Sequence, residues 1–414
     1  MTSPARVLYV HHTDKLGGAS WCLYHLVRHL DRAAFTPVIA LPQMGEAGPL
    51  FAELDVEVQT CPLPRFQHTT GGWWPLHRPW SAAALLRWWM QMGASRRRLA
   101  ALIADVQPDL VHFNSVTLAP YSPAVPPEIP VVVHVRESVV HGLLGVRRAW
   151  LRRLLTHYAD RIIYICQDNR NRLTGTHPNG RVIYDPVDFA RFDFQINGAA
   201  ARRELGIPPE AKVVLFVGSL MHIKGAIPFL KAMALALESV PDLYCLMPFT
   251  ARTFSTVPWR RLVRGVANVL GLYSAGQQVE RLLNGSPLGA RTLRTDFRMD
   301  IERFYAAADV VAVPFVEPHF ALPILEAGAM GKPVAASRIG GIEEMVLEGQ
   351  TGLLVSPGDE SALAAATVQL LRDPLLAARM GEAAYRKVIS SCSADIHARR
   401  VMAVYRELLD GRGF

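Results

Sequence analysis

The first half of the chain alternates short apolar runs with longer segments in which apolar residues recur every three or four positions. The short runs, bounded by polar or turn-forming residues, read as buried strands. They fall at Val7–Val10, Pro37–Leu41, Val56–Thr60, Leu110–Phe113, Val131–His134, Arg161–Ile165 and Arg181–Ile183. Helical periodicity fits Ser20–Leu30, Ala82–Ala104 and Val146–His157. Strands alternating with helices predict a doubly wound parallel sheet. A polar stretch punctuated by Pro and Gly, from Tyr184 to Pro209, interrupts the pattern and predicts an interdomain linker. Alternation resumes with a strand at Val213–Val217, a helix at Ala226–Leu237 and a strand at Leu243–Met247. The helix Asp300–Ala308, the strand Asp309–Pro314, the helix Leu322–Met330 and the strand Val334–Ala336 follow. Helices at Glu360–Leu371, Leu375–Val388 and Asp395–Leu409 come last. Extra material between Arg252 and Arg291 predicts two more, at Trp259–Leu270 and Ala275–Leu283.

Length agrees with this doubling. A chain of 414 residues exceeds one hydrophobic core and predicts two domains. The boundaries expected are 1–188 for the first domain, 189–211 for the linker, 212–392 for the second domain and 393–414 for a final helix. Half the residues are hydrophobic and 19% are charged, a globular composition. The net charge of +8 favours anionic ligands such as a nucleotide diphosphate or a membrane surface, but falls short of a nucleic-acid footprint. Five scattered cysteines form no Cys-x-x-Cys, so neither a disulfide framework nor a zinc site is indicated. The polar start MTSPA does not read as a signal peptide, and no apolar run reaches transmembrane length. The expected place is the cytoplasm, or the inner face of a membrane.

The richest chemistry lies between Pro314 and Asp359. Two carboxylates, Glu317 and Glu326, flank a helix whose first turn carries Pro323, and Gly340-Gly341 is expected to open another helix. Strand–loop–helix at this pace presents ligand groups at the carboxyl ends of a parallel sheet. Helix N-termini and glycine turns there bind phosphate, and carboxylates accept hydrogen bonds from hydroxyls. A second block, Phe216-Val-Gly-Ser-Leu-Met-His-Ile-Lys-Gly225, ends a strand at Gly218 and sets Lys224 at a helix start. A third, His11-His-Thr-Asp-Lys-Leu-Gly-Gly-Ala-Ser20, places Gly17-Gly18 between the first strand and its helix. There is no Gly-x-Gly-x-x-Gly, which argues against a nicotinamide or flavin cofactor; no cofactor is expected.

These blocks resemble the donor-binding signature of retaining glycosyltransferases of family four, which have two Rossmann-like domains facing across a cleft, the GT-B fold. Glu326-Ala-Gly-Ala-Met-Gly-Lys-Pro-Val334, Gly340-Gly341-Ile-Glu-Glu344 and Thr351-Gly-Leu-Leu-Val355 match it. The resemblance implies that Glu326 bonds the donor ribose and that Glu317 and the loop His319, Phe320, Ala321, Leu322 meet the sugar. It also implies that Gly218, Ser219 and Lys224 face the diphosphate, with Gly17, Gly18, Gly340 and Gly341 closing on the donor. The catalytic set it implies is His134, Lys224 and Glu317, and the last helix is expected to cross back to the N-terminal domain.

Three departures matter. Eight residues separate the two carboxylates where the family has seven, because Pro318-His319 replaces one residue. The usual glycine before the helix is Ala321, and the arginine that helps Lys clamp the diphosphate is Ser219. No Asp-x-Asp occurs, so no metal is expected and Lys224, amides and helix dipoles must stabilise the leaving diphosphate. The expected activity is transfer of a sugar from a nucleotide diphosphate to a glycan, lipid-linked or small-molecule acceptor, with retention. A nucleotide-sugar epimerase of the same fold, or a degenerate module that only binds nucleotide or glycan, is the alternative.

Two further stretches have more than one reading. Trp73, Trp74 and Trp80 can stack on a sugar or cap the core. Residues 143–157 set Arg147, Arg148, Arg152 and Arg153 beside Trp150 and leucines, and Trp88-Trp89-Met90 with Arg96-Arg97-Arg98 has the same character. Each is either a helix packed on the sheet with solvated arginines, the reading preferred here, or a peripheral membrane contact.

Overall fold

A computed structural model describes residues 3–75, 78–250, 274–296 and 298–410. The chain divides into two compact units: residues 1–188 with 391–414, and residues 189–390.

Unit 1 is built on seven parallel strands: β1 (Ala5–Val10), β2 (Phe35–Leu41), β3 (Glu57–Thr60), β6 (Leu110–Phe113), β7 (Val131–Val135), β8 (Arg161–Tyr164) and β9 (Gly180–Val182). A two-stranded hairpin of β4 (His68–Thr69) and β5 (Gly72–Trp73) stands apart. The sheet order is β3-β2-β1-β6-β7-β8-β9, so the winding reverses between β1 and β6. Its central strands are apolar on both sides because both faces are covered. On one face Leu8, Val38, Phe113 and Val133 pack with Trp88, Leu99 and Ile103 of α3 (Pro79–Val106) and Leu151 and Leu155 of α4 (Val146–Tyr158). On the other, Val7, Tyr9 and Ile39 meet Leu23 and Leu26 of α1 (Gly18–Arg28). Val401, Tyr405 and Leu408 of the helix Ala394–Asp410 complete that layer.

Unit 2 repeats the plan with six parallel strands in the order β12-β11-β10-β13-β14-β15. These are β10 (Lys212–Phe216), β11 (Leu243–Met247), β12 (Thr292–Arg294), β13 (Val310–Val313), β14 (Val334–Ser337) and β15 (Gly352–Val355). Winding reverses between β10 and β13. The helix that follows β10, Ala226–Ser239, packs Phe229, Leu230 and Met233 into the core.

Three expectations need correction or restriction. The stretch 189–211 is not a bare connector: Gly198–Glu204 is a helix capped by Asn197, and Arg202 ties it to Ala307 and Asp309 within unit 2. Gly340-Gly341 opens turns rather than a helix. Gly341 sits at φ +87°, a left-handed conformation outside the helical region, and its α-carbon backs onto the chain at His319 and Phe320. The helix expected at Trp259–Leu270 lies outside the described residues, whereas Ala275–Leu283 is helical, with a capping box at Ser274 and Gln277.

Candidate functional site

In an open parallel sheet, ligands bind beyond the carboxyl ends of the strands where the winding reverses. Unit 2 concentrates its predicted residues at that place. β10 ends at Phe216 and leads through Gly218 and the exposed Ser219 into the tight turn His222–Lys224. β13, its neighbour, ends at Val313 and leads into the loop 314–321. The two connections are locked together. Gly225 adopts φ +73°, and a β-carbon there would stand 1.8 Å from the Pro314 carbonyl oxygen; the Val316 amide donates to the Ile223 carbonyl at 3.1 Å. Only glycine allows that approach.

Lys224 is thereby held half-buried, its ammonium 4.2 Å from the centre of the Phe315 ring. Burial pulls its pKa down to about 8, and among the described residues no carboxylate pairs with it. His319 lies against the other partner of this cluster, its ring 5.7 Å from that of Phe315. Burial, then the Lys224 charge, holds His319 well below the usual histidine range, and its buried Nδ1 has no hydrogen-bond partner. Glu317, two residues earlier, is half-buried and likewise makes no bond within the described residues. Glu326 sits in the second turn of the helix Leu322–Ala329, which starts from Ala321 without a side-chain cap. The Tyr305 hydroxyl donates to its Oε2 at 2.5 Å, and burial pushes its carboxyl above the ordinary range. Phe320 and Ala321 are buried, Leu322 is partly exposed, and Gly341 lies against the loop at His319 and Phe320. Lys224, Phe315 and the neutral His319 thus form one strand-end cluster, with Glu317 on the same loop and Glu326 on the helix that follows it.

Unit 1 has its own cluster at the β1/β6 reversal, most of it missed by sequence reasoning. His11 and His12 follow β1, Asn114 and Ser115 follow β6, and Arg136 and Glu137 follow β7. The Ser20 hydroxyl donates to the Lys15 carbonyl at 2.8 Å and therefore accepts from His11 Nε2 at 3.0 Å. His11 Nδ1 then accepts from the Asn114 amide at 2.9 Å, which fixes its tautomer. Arg136 donates to Asn114 Oδ1 at 2.7 Å and pairs with Asp185, both buried. Glu137 accepts from the Ser115 hydroxyl at 2.5 Å and the Val116 amide at 3.2 Å, and burial raises its pKa. His12 Nε2 lies 3.9 Å from Glu137, and burial, then Arg65 and Arg136, pull His12 down to about 3. The network latches the loop 15–20, so Gly17 and Gly18 are exposed at an α1 start that no side chain caps. The available signal was a polar pair directly after each apolar strand: His-His, Asn-Ser, Arg-Glu.

His134 is the correction here. It lies inside β7 with no exposed surface, its ring stacked 6.0 Å from that of His397 on the final helix. Alternation along the strand turns it into the core. The ring is fully buried, and the polar positions that follow β7 belong to Arg136 and Glu137. The tryptophans divide: Trp74 packs on the core with Phe66 and Trp88, while Trp73 and Trp80 are exposed.

Two doubly wound parallel sheets, each carrying a polar cluster at its winding reversal, are the architecture of the GT-B fold. The sequence matches agree: residues 211–373 match the family described as Glycosyl transferases group 1, and residues 17–186 match Glycosyl transferase 4-like domain. The two matches span most of the chain, which belongs to this glycosyltransferase family. Among curated relatives, D-inositol 3-phosphate glycosyltransferase of Corynebacterium urealyticum is 37% identical over 210 residues, 50% of this chain and 46% of that protein. The protein of the same name from Streptomyces avermitilis is 28% identical over 267 residues, 62% of this chain and 53% of that protein. The chain spans about half the length of the curated relatives it matches. Among solved structures, Anabaena HepE in complex with UDP-glucose is similar with a TM-score of 0.75 and 21% identity, over 97% of this chain and 100% of that one. Sucrose-phosphate synthase of Thermosynechococcus elongatus is similar with a TM-score of 0.70 and 19% identity, over 98% and 100%. At these identities the likeness shows the fold.

Proposed function

We propose that this protein transfers a sugar from a nucleotide diphosphate donor, bound in unit 2, to a glycan, lipid-linked or small-molecule acceptor. The observation that carries the reading is Lys224: a half-buried ammonium at the winding reversal, with no carboxylate partner among the described residues, packed on Phe315 of the loop that also carries Glu317. A desolvated cation with no internal counter-ion is a preformed site for an anion. In this reading Lys224 holds the diphosphate and Glu317 accepts from sugar hydroxyls. Glu326 accepts from the ribose, and the segments 319–322 and 340–341 close around the sugar and phosphate. Gly218 and Ser219 line the diphosphate side, and Gly17 and Gly18, exposed at the uncapped start of α1, belong to the same proposal as donor-binding residues. Transfer with retention and without a metal belongs to the same proposal. The metal-free part rests on the lack of an Asp-x-Asp pair and on Lys224 as the stabilising charge. HepE has been solved in complex with UDP-glucose, which makes UDP-glucose the first donor to try here.

The competing reading is a module that binds donor without turning it over, favoured by the exposed Ser219 at the position of a clamping arginine. Incubation with UDP-glucose, UDP-galactose or GDP-mannose, without acceptor and with a chelator, separates the readings. Slow release of the free sugar with retained anomeric configuration, followed by NMR, is the outcome expected of a transferase. Thermal stabilisation by a donor with no hydrolysis supports the binding module, inversion at C2 of the donor supports an epimerase, and no response to any nucleotide removes the site.

A further inference from the structure

Helix α3 has two apolar faces. One is the core stripe of Ser81, Leu85, Trp88, Met92, Ser95, Leu99 and Ile103, spaced by three and four and turned onto the sheet. The opposite stripe should be charged in a helix that simply covers a sheet. Instead it runs Ala83, Leu86, Met90, Gly93, with Trp80 and Trp89 on its flanks, and Arg87 is the single charged residue between Pro79 and Ser95. Met90 is 72% exposed and Trp89 69%. The charges come afterwards, at Arg96, Arg97 and Arg98.

A second apolar element lies within the same unit. Before α4 the chain makes a turn, His141-Gly-Leu-Leu-Gly-Val146, whose Leu143 and Leu144 are 70% and 85% exposed. Leu144 is held at φ +50°, between two glycines that are also left-handed, Gly142 and Gly145. A leucine in that region is strained, and nothing in the core is gained by it, because the side chain points into water. α4 then buries Leu151, Leu154 and Leu155 and carries Arg147, Arg148, Arg152 and Arg153. The two elements are joined: Phe66, Trp88 and Trp150 form one aromatic cluster with ring centres 4.9 to 6.2 Å apart, and Arg147 donates to the Trp74 carbonyl at 2.6 Å. A pocket of about 280 Å³ opens beside them, with Arg65, Arg87, Trp74 and Trp88 in its wall.

We propose that the exposed face of α3 and the Leu143-Leu144 turn form one docking surface for an anionic lipid bilayer. The apolar tips enter the boundary between headgroups and acyl chains, tryptophans lie at headgroup depth, and the arginines meet phosphate. This combination fits a bilayer better than a protein partner, because the apolar residues are fringed by cations of one sign and no acidic residue lies between Ser81 and Arg98 or between Leu143 and Arg153. The inference stands on this surface alone and does not depend on the donor site.

The test is flotation of the full chain with vesicles of phosphatidylcholine, or of equal parts phosphatidylcholine and phosphatidylglycerol. The wild type should float with the anionic vesicles, less so at high salt, and stay behind with the neutral ones. Met90→Asp, Leu143→Asp and Leu144→Asp together should weaken vesicle binding by at least about tenfold, with an unchanged unfolding midpoint, since all three side chains are in water. Arg152→Glu with Arg153→Glu should weaken it independently. Wild type that fails to float, or a triple variant that floats as well as wild type, overturns the proposal. So does a wild-type dimer in solution that the same substitutions abolish, which would make the face a contact between copies of this chain.

Discussion

Replacing Lys224 by alanine is the sharpest probe of the proposed donor site. The ammonium is half-buried over Phe315, and its drop from 10.5 to about 8 corresponds to ~3 kcal/mol of unfavourable desolvation in the charged form. That cost is already met in the folded protein, so an arriving diphosphate gains the charge-assisted contact without desolvating the cation again. Truncating such a buried partner costs on the order of 2–5 kcal/mol. Taking ~3 kcal/mol, Lys224→Ala should weaken UDP binding by at least about a hundredfold, read by calorimetry. The pH dependence supplies a second check. Between about pH 7 and 8 the group is protonated in free and bound protein and the terminal phosphate is fully ionised, so affinity should be level. Above it the free lysine is neutral while the complex, its pKa raised by the anion, keeps the proton. The bound state then holds more protons, so affinity falls as pH rises, by up to about tenfold per unit. The variant should lose this slope. The folded pKa lies below the unfolded one, so the free wild type should also gain stability between pH 8 and 10.5, where the unfolded chain binds more protons. Near-normal affinity in the variant, or wild-type binding that ignores pH, would refute the placement of the phosphate.

Other changes have equally definite outcomes. Glu326→Ala should abolish nucleotide binding, whereas Tyr305→Phe, which removes only the donor to its Oε2, should cost ~1 kcal/mol of stability in urea titrations. Gly225→Ala combines a left-handed φ with a collision at the Pro314 carbonyl and should destabilise by at least ~2 kcal/mol, seen as a lower urea midpoint at unchanged slope. Asp185→Ala strips the buried Arg136 of its counter-ion and should cost ~3–5 kcal/mol in the same titration. His319→Ala should weaken UDP more than UMP if its ring faces the second phosphate; equal losses would make it a packing residue.

Much of the fold was legible because periodicity reports burial. β6 and β11 match their predicted ends, and the other forecast strands begin or end within one or two residues of expectation, since each is a short apolar run between turn residues; β12 was not forecast. The helix forecast at Gly340-Gly341 failed for a local reason. A glycine pair is compatible with either a helix start or a tight turn, and only the packing of Gly341 on His319 and Phe320 decides. The helix 198–204 was hidden in a polar stretch because arginine bonds to Ala307 and Asp309 hold it, not an apolar stripe. In the donor cluster the candidates are close in sequence and share motifs, so they could be named in advance. The unit 1 cluster draws on residues near positions 12, 20, 114, 136 and 185, and nothing in a linear pattern says which strand ends will be neighbours until the sheet order is known. His134 shows the converse: it was read as a strand-end residue, but β7 runs on through Val135, and alternation turns position 134 to a core face.

The division of the chain has a consequence for how it is made. Unit 2 is one uninterrupted stretch, whereas unit 1 is split, and the helix Ala394–Asp410 that lays Val401, Tyr405 and Leu408 over β1 is synthesised only after all of unit 2. During translation the first 188 residues therefore wait with the face around Val7, Tyr9 and Ile39 incomplete, while the core cluster described for unit 2 is drawn from the segment 189–390 alone. A fragment spanning 189–390 is the natural piece to express for donor binding. A fragment ending at 188 would leave an apolar sheet face bare, and stickiness in such a piece would report the missing helix rather than any partner.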